Sequence, residues 1–384
     1  MRKAIALAMI LALLSPVLAG CDSEKNMESA EDRNAVRIGA VLPLSGDVET
    51  FGQSSRNAIE MAAQEWNQKG GIKGKQIKVY FEDDENKPAN SSRAIQALIE
   101  KKKVAGVIGS ASSNCSIAMG TIATANKVPM IAPTATSPKV TVEGGDYVFR
   151  ACFLDLFQGT ALAKFAIGDL RAKRAAIFYD IGNDYSKGLA EFFQQGFEAM
   201  GGEIVAFESY NTGDRDFKAQ ILLLQETSPD VVLLADYYST VGIIARQARG
   251  MGIKATFLGG DGWDSPDLLK EGDNSLDGSY FSNHYTVGEN SAKGNAFKEK
   301  YIKNYNKQPD SFAALSYDAA YILFTAIEKA GSTDGARIKN ELEKTDIEGV
   351  SGRITLDESR NPTKGAVIEQ IVGKNTRFVT RVNP

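Results

Sequence analysis

Thr134, Thr136 and Ser137 stand close together in VPMIAPTATSPKV (128–140), where an aliphatic run gives way to hydroxyls among three prolines. The prolines keep this backbone out of a helix. Ser112-Ser113-Asn114 forms a second polar turn at the start of a helical pattern. Backbone N–H groups at a helix start and hydroxyl donors suit a carboxylate or another small anion. The plain alternative is a helix cap or a solvated turn, and Ser113 could serve both purposes. Asp261 in GGDGW is an acid in a glycine-rich turn, where it could hold a cation or the turn itself. Tyr185 in NDYSK and Tyr237 in DYYST pair an apolar face with a polar tip.

Other chemistry is poorly served. His284 is the single histidine, and neither HExxH nor paired Cys/His spacing occurs. A Ser-His-Asp triad would have to use that one residue. GGIKGK at 70–75 follows a helix rather than a strand, so it reads as a helix stop and a turn, not a phosphate loop. Asp83-Asp84 ends a strand in EDDENKP and reads as turn polarity rather than acid–base machinery. No catalytic residue, metal or cofactor is expected, and no enzyme.

The 384 residues are 43% hydrophobic and 24% charged, with 44 basic against 48 acidic side chains and a net charge of −4. That is an ordinary globular composition with room for two domains. The basic residues are scattered rather than striped, so no nucleic-acid partner is implied. MRKAIALAMILALLSPVLAGC has two cations and an apolar run shorter than the roughly 20 residues of a membrane span, and reads as an export signal over 1–20. The run 22–34 carries neither aromatic nor β-branched residues and reads as a tether. Cys115 and Cys152 are an even pair that could form a disulfide or remain two buried thiols; spacing does not choose.

The elements that must position the hydroxyls and acids alternate. AVRIGAVLPLSG, KQIKVYFEDD, VAGVIGS and VPMIAPTA read as strands separated by amphipathic helices, with Asn90 or Ser91 capping one of them. The pattern restarts with RAAIFYD, GEIVAFESY, DVVLLADY and ATFLGGDG, separated by helices over 187–200, 216–226 and 241–251. GSYFSNHY, two helices over 292–306 and 312–330, and hairpin-like strands around ESRNPTKG complete the chain. This is an α/β pattern of two doubly wound, Rossmann-like lobes. Ligands bind outside the carboxyl ends of such strands. Those ends are rich in hydroxyls, acids and tyrosines, with lysine and arginine nearly absent.

IGAVLPLSGDVETFG, VIGSASSNCSIA, PMIAPTATSP, FRACFLDLFQG, YDIGNDYSKGL, PDVVLLADYYSTVG and FLGGDGWDSPDL, in this order, carry a resemblance. From Val36 to the C-terminus the chain resembles the periplasmic binding proteins of branched-chain amino-acid ABC transporters, the leucine/isoleucine/valine-binding type. The resemblance implies a type I periplasmic-binding fold with three hinge crossovers, near Leu154, Asn283 and Ala366. Lobe 1 is then 35–154 with 284–365, and lobe 2 is 155–283 with 366–384. It further implies a monomer that captures an amino acid by hinge closure and presents the closed form to a membrane permease. LAGC resembles the bacterial lipobox, which implies lipid on Cys21, with 21–34 as lipidated residue and tether, on the periplasmic or extracytoplasmic face of the cell membrane. Asp22 at the next position resembles an inner-membrane retention signal.

By the same resemblance Ser113 and Thr136 bind the ligand carboxylate, while the Thr134 carbonyl and Asp261 meet its ammonium. Tyr185 and Tyr237 close over the ligand, and Phe51, with Phe312, walls its side chain. The family carries glutamate where this chain has Asp261, so the ligand shifts or a water bridges the gap; Asp264 is the competing acid. No cation is placed to meet a side-chain carboxylate, which argues against an acidic amino acid unless Arg56 or Arg150 points inward. The competing functions are a sensor of the same fold that signals to a partner protein, and an enzyme with incidental likeness.

Overall fold

Short aliphatic runs with both faces covered form parallel strands, because helices must bury each face of the sheet. Val36–Leu42 (β1), Gly106–Gly109 (β3) and Met130–Ala132 (β4) are of this kind and almost wholly buried. The computed structural model describes residues 34–287 and 291–384, so the signal, Cys21 and nearly all of the tether lie outside the described residues. Within them β1, Ile77–Asp83 (β2), β3, β4 and Val148–Arg150 (β5) form an all-parallel sheet in the order β2-β1-β3-β4-β5. Helices Glu49–Gln68 (α1), Pro88–Ala97 (α2), Ser113–Ala125 (α3) and Lys139–Gly144 (α4) connect these strands.

After β5 the chain crosses to a second sheet through Asp155–Gly168 (α5). Arg174–Asp180 (β6), Glu203–Tyr210 (β7), Val231–Ala235 (β8), Thr256–Gly259 (β9) and Tyr280–Asn283 (β10) run parallel there, with Asp184–Ala199 (α6), Lys218–Thr227 (α7), Tyr238–Gly250 (α8) and Pro266–Gly272 (α9) between them. The chain then returns to the first sheet. Ser311–Ala330 (α11) packs along α1, preceded by Ala292–Tyr305 (α10) and followed by Gly335–Leu342 (α12), a helix the sequence pattern did not reveal. A third crossing adds Ala366–Val372 (β13) antiparallel to β10 and Asn375–Val382 (β14) antiparallel to β13 at the sheet edge. The described residues therefore form two α/β lobes linked by three passages of chain.

Three local expectations change. The strands around ESRNPTKG are not one hairpin: Asp346–Gly349 (β11) pairs with Gly352–Thr355 (β12), while β13 and β14 belong to the other lobe's sheet. Their turns lie at Val350-Ser351 and Gly373-Lys374 instead. Helix α2 starts at Pro88, whose fixed φ suits a first helical position, with Lys87 before it and no side-chain cap. Ser91 instead donates to the Asp84 carboxylate at 3.1 Å. Cys115 and Cys152 are free thiols, so the disulfide alternative does not hold. Each sulfur has its own neighbour, Asn86 Oδ1 at 3.8 Å for Cys115 and the Ala135 carbonyl at 3.4 Å for Cys152.

Candidate functional site

The carboxyl ends of both sheets face each other, and the polar residues singled out in the sequence meet there. Ser113 opens α3, and its Oγ accepts the Ser137 N–H at 3.2 Å, which leaves its own O–H to donate. Thr134 turns its hydroxyl onto the Ala111 carbonyl at 2.8 Å. The Thr136 hydroxyl is buried and has no hydrogen-bond partner, and the same is true of Ser112 Oγ. Their loop is shaped from behind by Arg150. That guanidinium is fully buried and donates to the carbonyls of Ala135 and Ser137, to the latter at 2.8 Å, and to Asn361 Oδ1 at 2.8 Å. Arg150 therefore does not point into the cleft. Arg56 pairs with Glu60 along α1 at 2.9 Å. Neither arginine overturns the argument against an acidic ligand side chain.

From the other lobe, Asp261 follows β9 and is almost completely buried. Its Oδ1 accepts the Tyr185 hydroxyl at 2.9 Å, and its Oδ2 lies 3.0 Å from His284 Nε2. Tyr185 in turn accepts the Gly262 N–H at 3.0 Å. Glycine is needed on both sides of Asp261: a Cβ at Gly260 would lie 2.5 Å from the Tyr185 hydroxyl, and one at Gly262 would lie 2.9 Å from the Tyr237 ring. Both Asp261 oxygens thus meet protein side chains, Tyr185 and His284. Asp264 is not part of this group; it crosses between lobes to accept the Ser311 N–H at 2.7 Å, at the start of α11.

Two residues were missed in the sequence. Asp155 opens α5, where an acid in the first turn looks like an ordinary helix-dipole partner. It is completely buried, and its Oδ2 has no partner, while Gln158 Nε2 donates to Oδ1 at 3.1 Å. Burial first, then the neighbouring Asp261 charge, push its carboxyl up to about 8, against the pull of Thr136, Arg150 and Gln158. The Thr136 hydroxyl lies near the Asp155 carboxyl and pulls it toward the ionised form without forming a hydrogen bond to it. His284 stacks on Phe153 with ring centroids 3.6 Å apart, and its Nδ1 is buried without a partner. Burial lowers its pKa against the opposing pull of Asp261. Gln158 ties the two acids together, since its Oε1 accepts the Asp261 N–H at 2.7 Å.

Aromatic rings cover the group. Tyr185 and Tyr237 stack with planes 1° apart and centroids 5.1 Å apart. Phe51 lies against Phe312, centroids 3.7 Å apart, and meets Tyr237 and Tyr238 edge-on at 5.8 and 5.0 Å. Phe51 and Phe312 come from one lobe and the tyrosines from the other, so this packing bridges the cleft. Two open cavities, about 650 Å³ beside Glu65 and Tyr321 and about 730 Å³ beside Asn57 and Asp267, are lined by none of Ser113, Thr136, Asp155 or Asp261.

A buried group of hydroxyl donors and acids where two α/β lobes meet defines a class of solute-binding proteins. The family model for "Periplasmic binding protein" matches residues 35–375. A "Leu/Ile/Val-binding protein homolog 3" of Brucella melitensis is 30% identical over 326 residues, 84% of this chain and 88% of that protein. A leucine-binding protein of Thermotoga maritima superimposes with a TM-score of 0.87 at 36% identity, covering 91% of this chain and 99% of that one. A branched-chain amino acid transporter substrate-binding protein of Streptococcus pneumoniae, solved with isoleucine, gives 0.86 at 32% identity, covering 91% and 100%. The chain belongs to the periplasmic binding protein family, with its type I fold. No helix of the described residues is long and apolar enough to cross a membrane.

Proposed function

We propose that the protein is an extracytoplasmic solute-binding lipoprotein. It captures an aliphatic amino acid between its lobes and delivers it to an ABC importer. The observation that carries this reading is a set of buried, unpartnered polar atoms, the Thr136 and Ser112 hydroxyls and Asp155 Oδ2, with Asp155 held beside Thr136 by its N–H to the Thr136 carbonyl at 3.1 Å. Leaving such groups unpaired costs about 1–3 kcal/mol each, so a zwitterion that pairs them binds with matching gain. The carboxylate takes Thr136, the Ser113 O–H and the start of α3. The ammonium takes Asp155, Asp261 and the Thr134 carbonyl. Phe51, Tyr185 and Tyr237 enclose an apolar side chain.

The names of these relatives, Leu/Ile/Val-binding protein homolog 3 and a branched-chain amino acid transporter binding protein solved with isoleucine, support leucine, isoleucine or valine as the ligand. The rigid bodies are 35–154 with 284–365, and 155–283 with 366–384, hinged at the three passages and closed by the ligand. A membrane permease receives the closed form, and Cys21 anchors the protein. Calorimetric titration with leucine, isoleucine, valine, glutamate and benzoate tests this. Binding of the aliphatic amino acids with no heat from the other two is expected. Tight glutamate binding, or none by any amino acid, overturns it.

A further inference from the structure

Asp155 and Asp261 place two carboxyl groups in one sealed group of side chains, and the charges around them do not compensate both. Arg150 acts on Asp155, but its nitrogens are directed at Ala135, Ser137 and Asn361. Cys152 beside it is a thiol that burial pushes up to about 12, so it stays neutral. Tyr185 on α6 is held well above its ordinary range by burial and by the two acids, so it remains a neutral donor. His284, after β10, meets Asp261 through Nε2, while Asp264 and Lys364 act on it from further off. Asp261 has a donor on each oxygen, Tyr185 and His284. Asp155 has only Gln158 on Oδ1 and nothing on Oδ2. A buried carboxylate oxygen without a donor is costly, and a proton on it removes the charge.

We propose that the ligand's ammonium group replaces a proton held on Asp155, so that binding releases that proton to solvent. The idea rests on the amino-acid reading above. Before binding, the group carries the Asp261 charge alone, with Asp155 protonated and His284 neutral. The ammonium brings one positive charge, the Asp155 proton leaves to buffer, and both carboxylates face the cation. The two acids and the ammonium together carry the same charge as the acids alone did before, and the ligand's carboxylate adds its negative charge on the separate donors of Thr136, Ser113 and the start of α3. His284 acts as a positioning residue here: it holds the Asp261 carboxyl oriented through Oδ2 and leaves Asp155 as the acid that changes state.

Leucine binding measured by calorimetry at about pH 7, in phosphate and in Tris, tests the exchange. The two buffers have different protonation heats, so the difference in binding heat counts the protons released. About one is expected, fading as the pH is raised through 8 because Asp155 is then already ionised. Asp155→Asn is expected to bind with no proton release. Leucine binding with equal heats in the two buffers at pH 7 overturns the proposal, as does undiminished release at pH 9. Release that persists in Asp155→Asn overturns the assignment to Asp155. If that variant does not fold, the pH series of the natural protein decides. Absence of any leucine binding would instead defeat the amino-acid reading, which separates the two failures.

Discussion

Asn114 on α3 reaches across the cleft and clasps the start of α6: its Oδ1 accepts the Asp184 N–H at 2.8 Å. Its Nδ2 donates to the Gly182 carbonyl at 3.0 Å. Both arms of one amide are thus spent on the opposite lobe, and Lys139 adds an ion pair to Asp184 at 2.6 Å. That pair is half exposed and contributes little. The amide bonds are each worth about 0.5–1.5 kcal/mol. The Asn114 side chain is spent on α6 rather than on the ligand, so its contribution to affinity runs through closure. Asn114→Ala is expected to weaken leucine binding about 5- to 30-fold, the equivalent of one to two kcal/mol, and to enlarge the scattering radius of the liganded protein. An unaltered affinity and radius would show that closure does not depend on this contact.

The hydroxyls on the donor wall differ in kind. Thr136 Oγ1 has no protein partner, whereas Ser113 Oγ already accepts from Ser137. Thr136→Ala should therefore cost more binding energy than Ser113→Ala. The double variant should lose more than about 2 kcal/mol, the scale of a buried charge left short of donors. Calorimetry on the three variants checks the order. Equal, small losses would indicate that the ligand carboxylate is held by backbone N–H groups alone.

Arg150 affects stability and binding together. Its removal takes a charged donor from the Ala135 and Ser137 carbonyls and from Asn361 Oδ1, leaving them the Cys152 thiol, the Val140 N–H and the Thr141 hydroxyl, and leaves a fully buried space behind the loop. Arg150→Met is expected to lower stability by roughly 3 kcal/mol or more and to weaken leucine binding, because the loop that carries Thr136 loses its clamp. Arg150→Lys restores charge without the planar fork and should recover little of either. Urea unfolding followed by titration at a temperature where the variant is folded reads both quantities.

The ligand-free protein should lose stability as the pH rises from about 5 to 8. Burial pushes Asp155 up to about 8, and Asp236, Asp310 and Glu369 up to about 7. For each, the folded state holds its proton to higher pH than the unfolded chain, which titrates near 4. Their stabilising contribution is full below that value and is lost as the pH climbs through the folded one. The summed effect is on the order of a few kcal/mol. Glu65 and Asp83, shifted the other way, act below this window, and His284, lowered by burial, opposes the slope within it without cancelling the four acids. Urea midpoints at pH 5, 6.5 and 8 check the slope, and Asp155→Asn should flatten it.

Hydrophobic period is a local property, and so the alternation of strands and helices, the two lobes, and the hydroxyl- and acid-rich strand ends could all be read from the chain itself. VRIGAVL and VVLLA announce buried parallel strands wherever they stand, and GGDGW announces a turn that approaches something closely. What the acid in that turn would touch was not legible. Tyr185 and Asp261 are 76 positions apart, yet share a hydrogen bond. Asp155 in FRACFLDLFQG looks like any acid in a helix's first turn, and His284 looks like a solitary histidine after a strand. Only the crossings between lobes bring them to Asp261 and strip the water away. The same holds for Arg150, which is directed behind the loop rather than into the cleft, and for the two thiols, which are separated by their neighbours. The sequence sets each residue's chemistry and local backbone. Charge state, partner and exposure depend on distances through space, and those exist only once the three passages of chain have closed the fold.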